Sequence, residues 1–228
     1  MPTRTRKRTG DTMTIAIIGT GAIGSALAAD LAAGGTDLLI AGHTPEKSQA
    51  LAATLDGHGT AVTVQEAVAQ ADVLIFAVWY DTIRELIAEY GDALSGKIIV
   101  DPSNPIAPDP NGGFVKTIPA EDSAGQLLAA LLPAGATLVK AFGSLAAGTL
   151  ASASRQTPEE AVLFYAADDQ AAGDTVAGLI RAAGFEPVPV GGVDQSIRIE
   201  VFGDLHEFGA IGGAVTKDAA LTAVAGAA

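Results

Sequence analysis

Six consecutive residues, Gly19-Thr20-Gly21-Ala22-Ile23-Gly24, have the spacing that phosphate recognition requires. Glycines at the first, third and sixth places permit a tight turn, a close approach of a diphosphate to the backbone, and close packing of a helix on a strand. Such a pattern arises often by chance, so its context decides its meaning. It follows the apolar run Ile15-Ala16-Ile17-Ile18 and opens a stretch in which Ile23, Leu27 and Leu31 recur at helical spacing. Strand, glycine turn and helix in that order leave unpaired amides at the helix start, where a phosphate binds. Gly19, Thr20, Gly21, Ala22, Ile23 and Gly24 are therefore expected to cradle the pyrophosphate of a dinucleotide.

The end of the second predicted strand reads Ile40-Ala41-Gly42-His43-Thr44-Pro45-Glu46-Lys47. A site for NAD usually places a carboxylate there to accept hydrogen bonds from the ribose 2′-hydroxyl. Asp37 lies at the opposite end of the strand, and the exit offers His43, Thr44 and Lys47 as donors, with Glu46 beside them. Gly42, His43, Thr44 and Lys47 thus suit the 2′-phosphate of NADP better than a free ribose.

Transfer of a hydride from a nicotinamide needs stacking and exclusion of water more than an acid or base, because the cofactor carries the reactive atoms. No catalytic side chain is expected, and no metal site: the chain has no cysteine, only three histidines and no HExxH. His58 falls in a turn and is expected to be solvated. His206 is expected on a C-terminal helix in a surface or interface role. Asp168-Asp169 reads as a helix N-terminal pair, and Arg198 as the partner of Glu200 or Asp204.

Positioning such a site takes a parallel sheet covered on both faces, and short apolar runs alternate with Ala-rich helical patterns accordingly. Eight strands are predicted at Thr14–Gly19, Asp37–His43, Ala61–Val64, Asp72–Trp79, Lys97–Ser103, Thr137–Gly143, Ala161–Ala167 and Glu186–Gly191. Helices are predicted near 22–34, 45–55, 81–93, 121–132, 146–154 and 169–183. Pro105, Pro108, Pro110 and Pro119 with Asn111-Gly112-Gly113 predict one long loop, free of helix or strand, over 104–119. The fold class is α/β: a Rossmann, doubly wound, mostly parallel sheet with a small C-terminal helical extension. The division expected is a basic tail at 1–12, a dinucleotide-binding domain at 13–143, and a smaller part at 144–228 that extends the sheet and closes the acceptor site. Ser103, Asn104, Gly143, Ser144 and Leu145 stand at strand exits and are expected to line the substrate half-site, beside Ala77, Val78 and Trp79.

The formal charge is −13, and Arg4, Arg6, Lys7 and Arg8 hold four of the thirteen basic residues, so the body is more acidic still. That balance opposes nucleic acid and anionic membrane as partners. No apolar run has the length of a membrane span, and the lack of cysteine fits a reducing, cytoplasmic setting. The apolar, small-residue stretch Phe208–Val215 suits tight helix packing on a second subunit or on the body.

Taken together the residues resemble the coenzyme F420-dependent NADP oxidoreductases and the related reductase domain of the STEAP metalloreductases. The resemblance covers most of 13–200 and rests on Gly19–Gly24, Gly42-His43-Thr44-Pro45-Glu46-Lys47, Val78-Trp79, Asp101-Pro102-Ser103-Asn104-Pro105 and Val139-Lys140-Ala141-Phe142. It implies that Thr20 and the glycine loop hold pyrophosphate, and that Gly42, His43 and Lys47 hold the 2′-phosphate, His43 standing where relatives often have Arg. It also implies that Ala77-Val78-Trp79 lies along the nicotinamide, Val78 replacing a frequent Pro. Gly143, Ser144 and Leu145 would form the wall against which a deazaflavin or flavin ring stacks, Gly143 replacing a common Asn or His. The implied activity is hydride transfer between NADP(H) and F420 or a flavin, in a homodimer. A reductase of a small imine or carbonyl compound and a non-catalytic dinucleotide-binding protein are the alternatives.

Overall fold

The computed structural model describes residues 13–226, so the basic tail expected at 1–12 lies outside the described residues. Ten strands form in chain order: β1 (Ile15–Ile18), β2 (Leu38–Ala41), β3 (Gly59–Ala61), β4 (Val73–Phe76), β5 (Ile98–Asp101), β6 (Ile106–Pro108), β7 (Phe114–Lys116), β8 (Thr137–Ala141), β9 (Val162–Ala167) and β10 (Glu186–Pro189). The helices are α1 (Ala22–Ala33), α2 (Pro45–Ala53), α3 (Val64–Gln70), α4 (Tyr80–Tyr90), α5 (Ala124–Ala129), α6 (Ala147–Ala153), α7 (Gln170–Ala182) and α8 (Lys217–Ala225).

Eight strands make one sheet in the order β10-β9-β8-β5-β4-β1-β2-β3. Every pairing is parallel except β8 with β9, so β9 and β10 run against the other six. The order reverses at β1, with β2 on one side and β4 on the other. This is the switch point outside which ligands of open α/β sheets bind.

Strands β1, β2 and β4 are apolar at every position because both faces are covered. Along β1, Ile15 and Ile17 face a core with α1, α6 and α7, whereas Ala16 and Ile18 face one with α3, α4 and α5. Each buried Ile or Leu contributes about 1.5–3 kcal/mol. The first core joins Ile15 and Leu31 to Leu163 and Phe185, and β8 carries the sheet from β5 across to β9. A third cluster sets Val162 and Phe164 against Ile199, Leu205 and Ala220.

Three expectations give way to the structure. The third strand ends at Ala61, and Val64 begins α3, because Thr63 and Glu66 form a capping box: the Thr63 amide donates to Glu66 Oε2 at 2.8 Å, and the Glu66 amide to Thr63 Oγ1 at 3.1 Å. The 104–119 segment is not free of strand, since β6 and β7 pair antiparallel. Asp109 organises the intervening turn: its amide donates to Gly113 O, and its carboxylate accepts from the Asn111 amide. In a lone two-stranded ribbon, Pro108 removes no needed ladder bond. Residues 200–216 form successive turns rather than a helix, so His206 and the Phe208–Val215 stretch are not helical.

Candidate cofactor and substrate site

The three glycines of the loop have different physical roles. Gly19 has φ +123°, and a Cβ there would collide with the Ala77 carbonyl; a Cβ on Gly24 would collide with the Gly19 carbonyl. Both are required by the close approach of β1, α1 and the β4 exit. Gly21 has φ −80°, and a Cβ there would meet nothing within 4 Å. No internal contact demands glycine at that place, and the chain leaves it open to the crevice. No side chain caps α1, so its first-turn amides, on Ala22, Ile23 and Gly24, lack intrahelical acceptors.

The β2 exit closes one side of this loop. A Cβ on Gly42 would come within 3.3 Å of Thr20 Cγ2, which brings Thr20 and Gly42 together. Beside them the buried Ser48 Oγ has no hydrogen-bond partner. An uncapped helix start, an open glycine and an orphaned hydroxyl are what a dinucleotide phosphate would complete, so the residues present fit NADP(H). His43 and Lys47 are exposed, and Thr44 is the N-cap of α2 with its side chain unengaged. Asp37 sits at the far end of β2, where its Oδ1 lies 2.8 Å from His58 Nδ1; His58 is thus paired and half-exposed.

At the β4 exit Ala77 and Val78 touch the loop through Gly19 and Gly24. Trp79 follows, 61% exposed, on a cavity of about 170 Å³ between Trp79–Asp81 and Ile106–Pro108 of the ribbon. The ribbon therefore overhangs the β4 exit.

The β5 and β8 exits hold a buried polar network that sequence reasoning missed. Lys140 Nζ lies 2.7 Å from Asp101 Oδ2, also donates to the Ser103 carbonyl, and stands 4.0 Å from Glu200 Oε1. Asp101 Oδ1 accepts from the Ser103 amide at 2.7 Å. Glu200 accepts from Ser123 Oγ and from the Ala124 and Gly125 amides, at 2.9–3.0 Å, and so caps α5. One signal was available: Asp101 and Lys140 are register partners on adjacent strands and are the polar members of apolar runs.

The residues expected to line the substrate half-site meet here, with structural roles of their own. Asn104 Nδ2 donates to the Gly143 carbonyl at 3.0 Å, and its Oδ1 accepts from the Val201 amide at 2.7 Å. Both ends of that side chain are engaged. A Cβ on Gly143 would stand 2.7 Å from the Pro102 carbonyl oxygen, so glycine is explained by a backbone contact rather than by an approaching ring. Ser103, Gly143, Ser144 and Leu145 are buried, with Ser103 Oγ and Ser144 Oγ unpartnered.

His206, expected at the surface or an interface, is buried under the same exits. Its Nδ1 accepts from the Phe208 amide at 3.0 Å, which fixes the neutral Nε2–H tautomer. Its pKa is lowered to about 4, chiefly by burial and in smaller part by Lys140, against the opposing effects of Glu207 and the Gly143 backbone. Arg198 pairs with Asp204 at 2.8 Å; Asp169 caps α7, and Asp168 accepts from the Val193 amide. Among the described residues no group of His, Asp and Glu is placed to hold a metal ion, and no helix is long and apolar enough to cross a membrane.

Sheet order and glycine loop define a Rossmann-type α/β fold, and its known relatives are NADP-dependent oxidoreductases. Residues 14–105 match the model of the family of coenzyme F420-dependent NADP oxidoreductases. It is 29% identical over 187 residues to the metalloreductase STEAP3 of Rattus norvegicus, an alignment covering 82% of this chain and 35% of that protein; the chain thus spans about a third of that relative's length. A hypothetical protein of Sinorhizobium meliloti has a solved structure 32% identical in sequence, with a TM-score of 0.79, covering 91% of this chain and 97% of that one. The structure of a candidate F420-dependent NADP-reductase from an Arthrobacter species shares the fold at 24% identity and TM-score 0.70, over 82% of this chain and 88% of that one.

Proposed function

We propose that the protein transfers hydride between NADP(H) and a flavin or deazaflavin such as F420. The observation that carries the reading is the crevice at the β1/β4 switch point: open Gly21 and uncapped α1 at one end, exposed Trp79 under the β6–β7 ribbon at the other. When bound, the nicotinamide supplies a hydride with its electron pair, the oxidised nicotinamide remains, and the acceptor takes its proton from solvent.

The chain's own part is binding and alignment. Thr20 and the α1 amides hold the pyrophosphate, and His43, Thr44 and Lys47 the 2′-phosphate. Ala77, Val78 and Trp79 place the nicotinamide, and the ribbon keeps water from the reacting faces. In this reading the acceptor lies against the β5 and β8 exits, and the C-terminal part closes over it. The chain acts as a cytoplasmic homodimer, with exposed Leu221 on α8 supporting an apolar interface.

Anaerobic mixing of the protein and NADPH with F420, FMN or a cyclic imine tests the reading. Bleaching of F420 or FMN is expected. Oxidation of NADPH by the imine alone would assign the second reductase class, and NADPH binding without turnover of any acceptor would leave a dinucleotide-binding protein.

A further inference from the structure

Among the described residues two aromatics adopt left-handed backbone, Phe142 at φ +64° and Phe202 at φ +73°. For a bulky side chain that conformation is strained. Phe142 is fully buried in the core beneath β8, so its packing offsets the strain. Phe202 is 55% exposed, and its ring gains no comparable burial.

Bonds on either side impose its conformation. The Val201 amide is held by Asn104, and the Gly203 amide donates to the Glu200 carbonyl at 2.8 Å. Glu200 is anchored in turn at the α5 start, and a Cβ on Gly203 would collide with the carbonyls of Ile197 and Arg198. A fixed backbone thus holds Phe202 next to Asn104 at the β5 exit, with its ring exposed. Phe208, 58% exposed, is presented similarly at the neighbouring β8 exit, where the Glu207 amide donates to the Ser144 carbonyl at 3.0 Å and His206 fixes the Phe208 amide.

We propose that Phe202 is a specificity-determining residue: its ring is the platform for the fused planar ring of the acceptor, with Phe208 bounding the same half-site. The inference rests on the hydride-transfer reading above and names the acceptor class as planar and aromatic. A flat ring gains stacking and burial on Phe202, whereas a small aliphatic imine gains little. Strain at a solvent-facing aromatic, held by buried groups, is the pattern of a residue kept for a ligand rather than for stability.

Phe202→Gly tests this, because glycine adopts φ +73° without strain. The variant is expected to unfold at or above the wild-type midpoint and to bind NADPH as wild type by calorimetry. Its KM for F420 and FMN should rise about tenfold, and quenching of FMN fluorescence by the protein should weaken in parallel. Phe202→Tyr, which keeps the ring, should restore both. Unchanged KM with intact NADPH binding overturns the proposal, as does a wild-type protein that quenches neither FMN nor F420. A shift of Phe202→Gly from dimer to monomer by sedimentation also overturns it, assigning the ring to contact between copies. Failure of the wild type to bind NADPH is a separate result, and it sinks the underlying cofactor reading.

Discussion

Lys140 and Asp101 form an ion pair closed to solvent, with Nζ 2.7 Å from Oδ2 and the two side chains 1% and 0% exposed. They are register partners on β8 and β5, so their side chains leave the sheet on the same side and meet without rearrangement. Glu200 brings a second carboxylate within 4.0 Å of the same amine, which ties the C-terminal segment to the strand exits. Removing one member of a buried pair leaves an uncompensated charge. Lys140→Met is expected to cost about 3–5 kcal/mol in urea unfolding, with part of the loss recovered in the double variant that adds Asp101→Asn. A loss below about 1 kcal/mol, the range of exposed pairs, would show that water reaches the pair.

His206 gives the stability a pH dependence of definite sign. Its folded pKa is lowered from 6.5 to about 4, chiefly by burial. The unfolded chain therefore binds the extra proton over that interval, and stability rises with pH there. The contribution is fully present above pH ~6.5 and is lost as pH falls towards ~4. Urea midpoints measured across this window should fall on acidification, and His206→Gln should flatten that part of the profile. A wild-type midpoint that is flat from pH ~6.5 to ~4 would mean that the ring titrates in contact with water.

Much of the fold was legible because it is written locally. Every predicted strand except Ala61–Val64 became a strand of the large sheet at its expected place, and the glycine loop stands where a strand must turn into a helix. What was missed depends on contacts distant in sequence or on competing local rules. Thr63 and Glu66 announced a helix start, but the β-branched run Val62-Thr63-Val64 suggested a strand. Nothing in the neighbourhood of Glu200 or His206 shows that both are buried, because their partners lie far along the chain at Ser123–Gly125 and Gly143. Gly143 stands where the resemblance implies a wall for the acceptor ring, and its lack of a side chain is explained by the Pro102 carbonyl, a contact 41 residues away in sequence.

We propose that the β2 exit sets the cofactor preference. His43 and Lys47 are exposed beside Gly42 with no ion pair among the described residues, and Asp37 is occupied with His58 at the far end of the strand. NADPH should bind more tightly than NADH by about 1–3 kcal/mol, the range of one or two charge-assisted hydrogen bonds. Calorimetry of both cofactors measures the margin, and Lys47→Ala should shrink it while leaving NADH affinity unchanged. Equal affinities in the wild type would remove the 2′-phosphate role from this exit.

The loop glycines separate binding from folding within one motif. Valine at position 21 finds open space and an ordinary φ of −80°, so Gly21→Val should unfold cooperatively near the wild-type midpoint. Its branched Cβ would occupy the path of the pyrophosphate, so NADPH should no longer raise that midpoint. Gly24→Val places the same atoms against the Gly19 carbonyl, where α1 and β1 cannot separate without losing the burial of Leu27 and Leu31. That variant should lose stability outright, by about 1–3 kcal/mol or more, as overpacked cores do. Thermal melts of both proteins with and without NADPH read the two effects independently. A Gly21→Val protein still stabilised by NADPH as wild type would show that the phosphates are held elsewhere, and a Gly24→Val protein of wild-type stability would show that α1 does not pack on the loop as described.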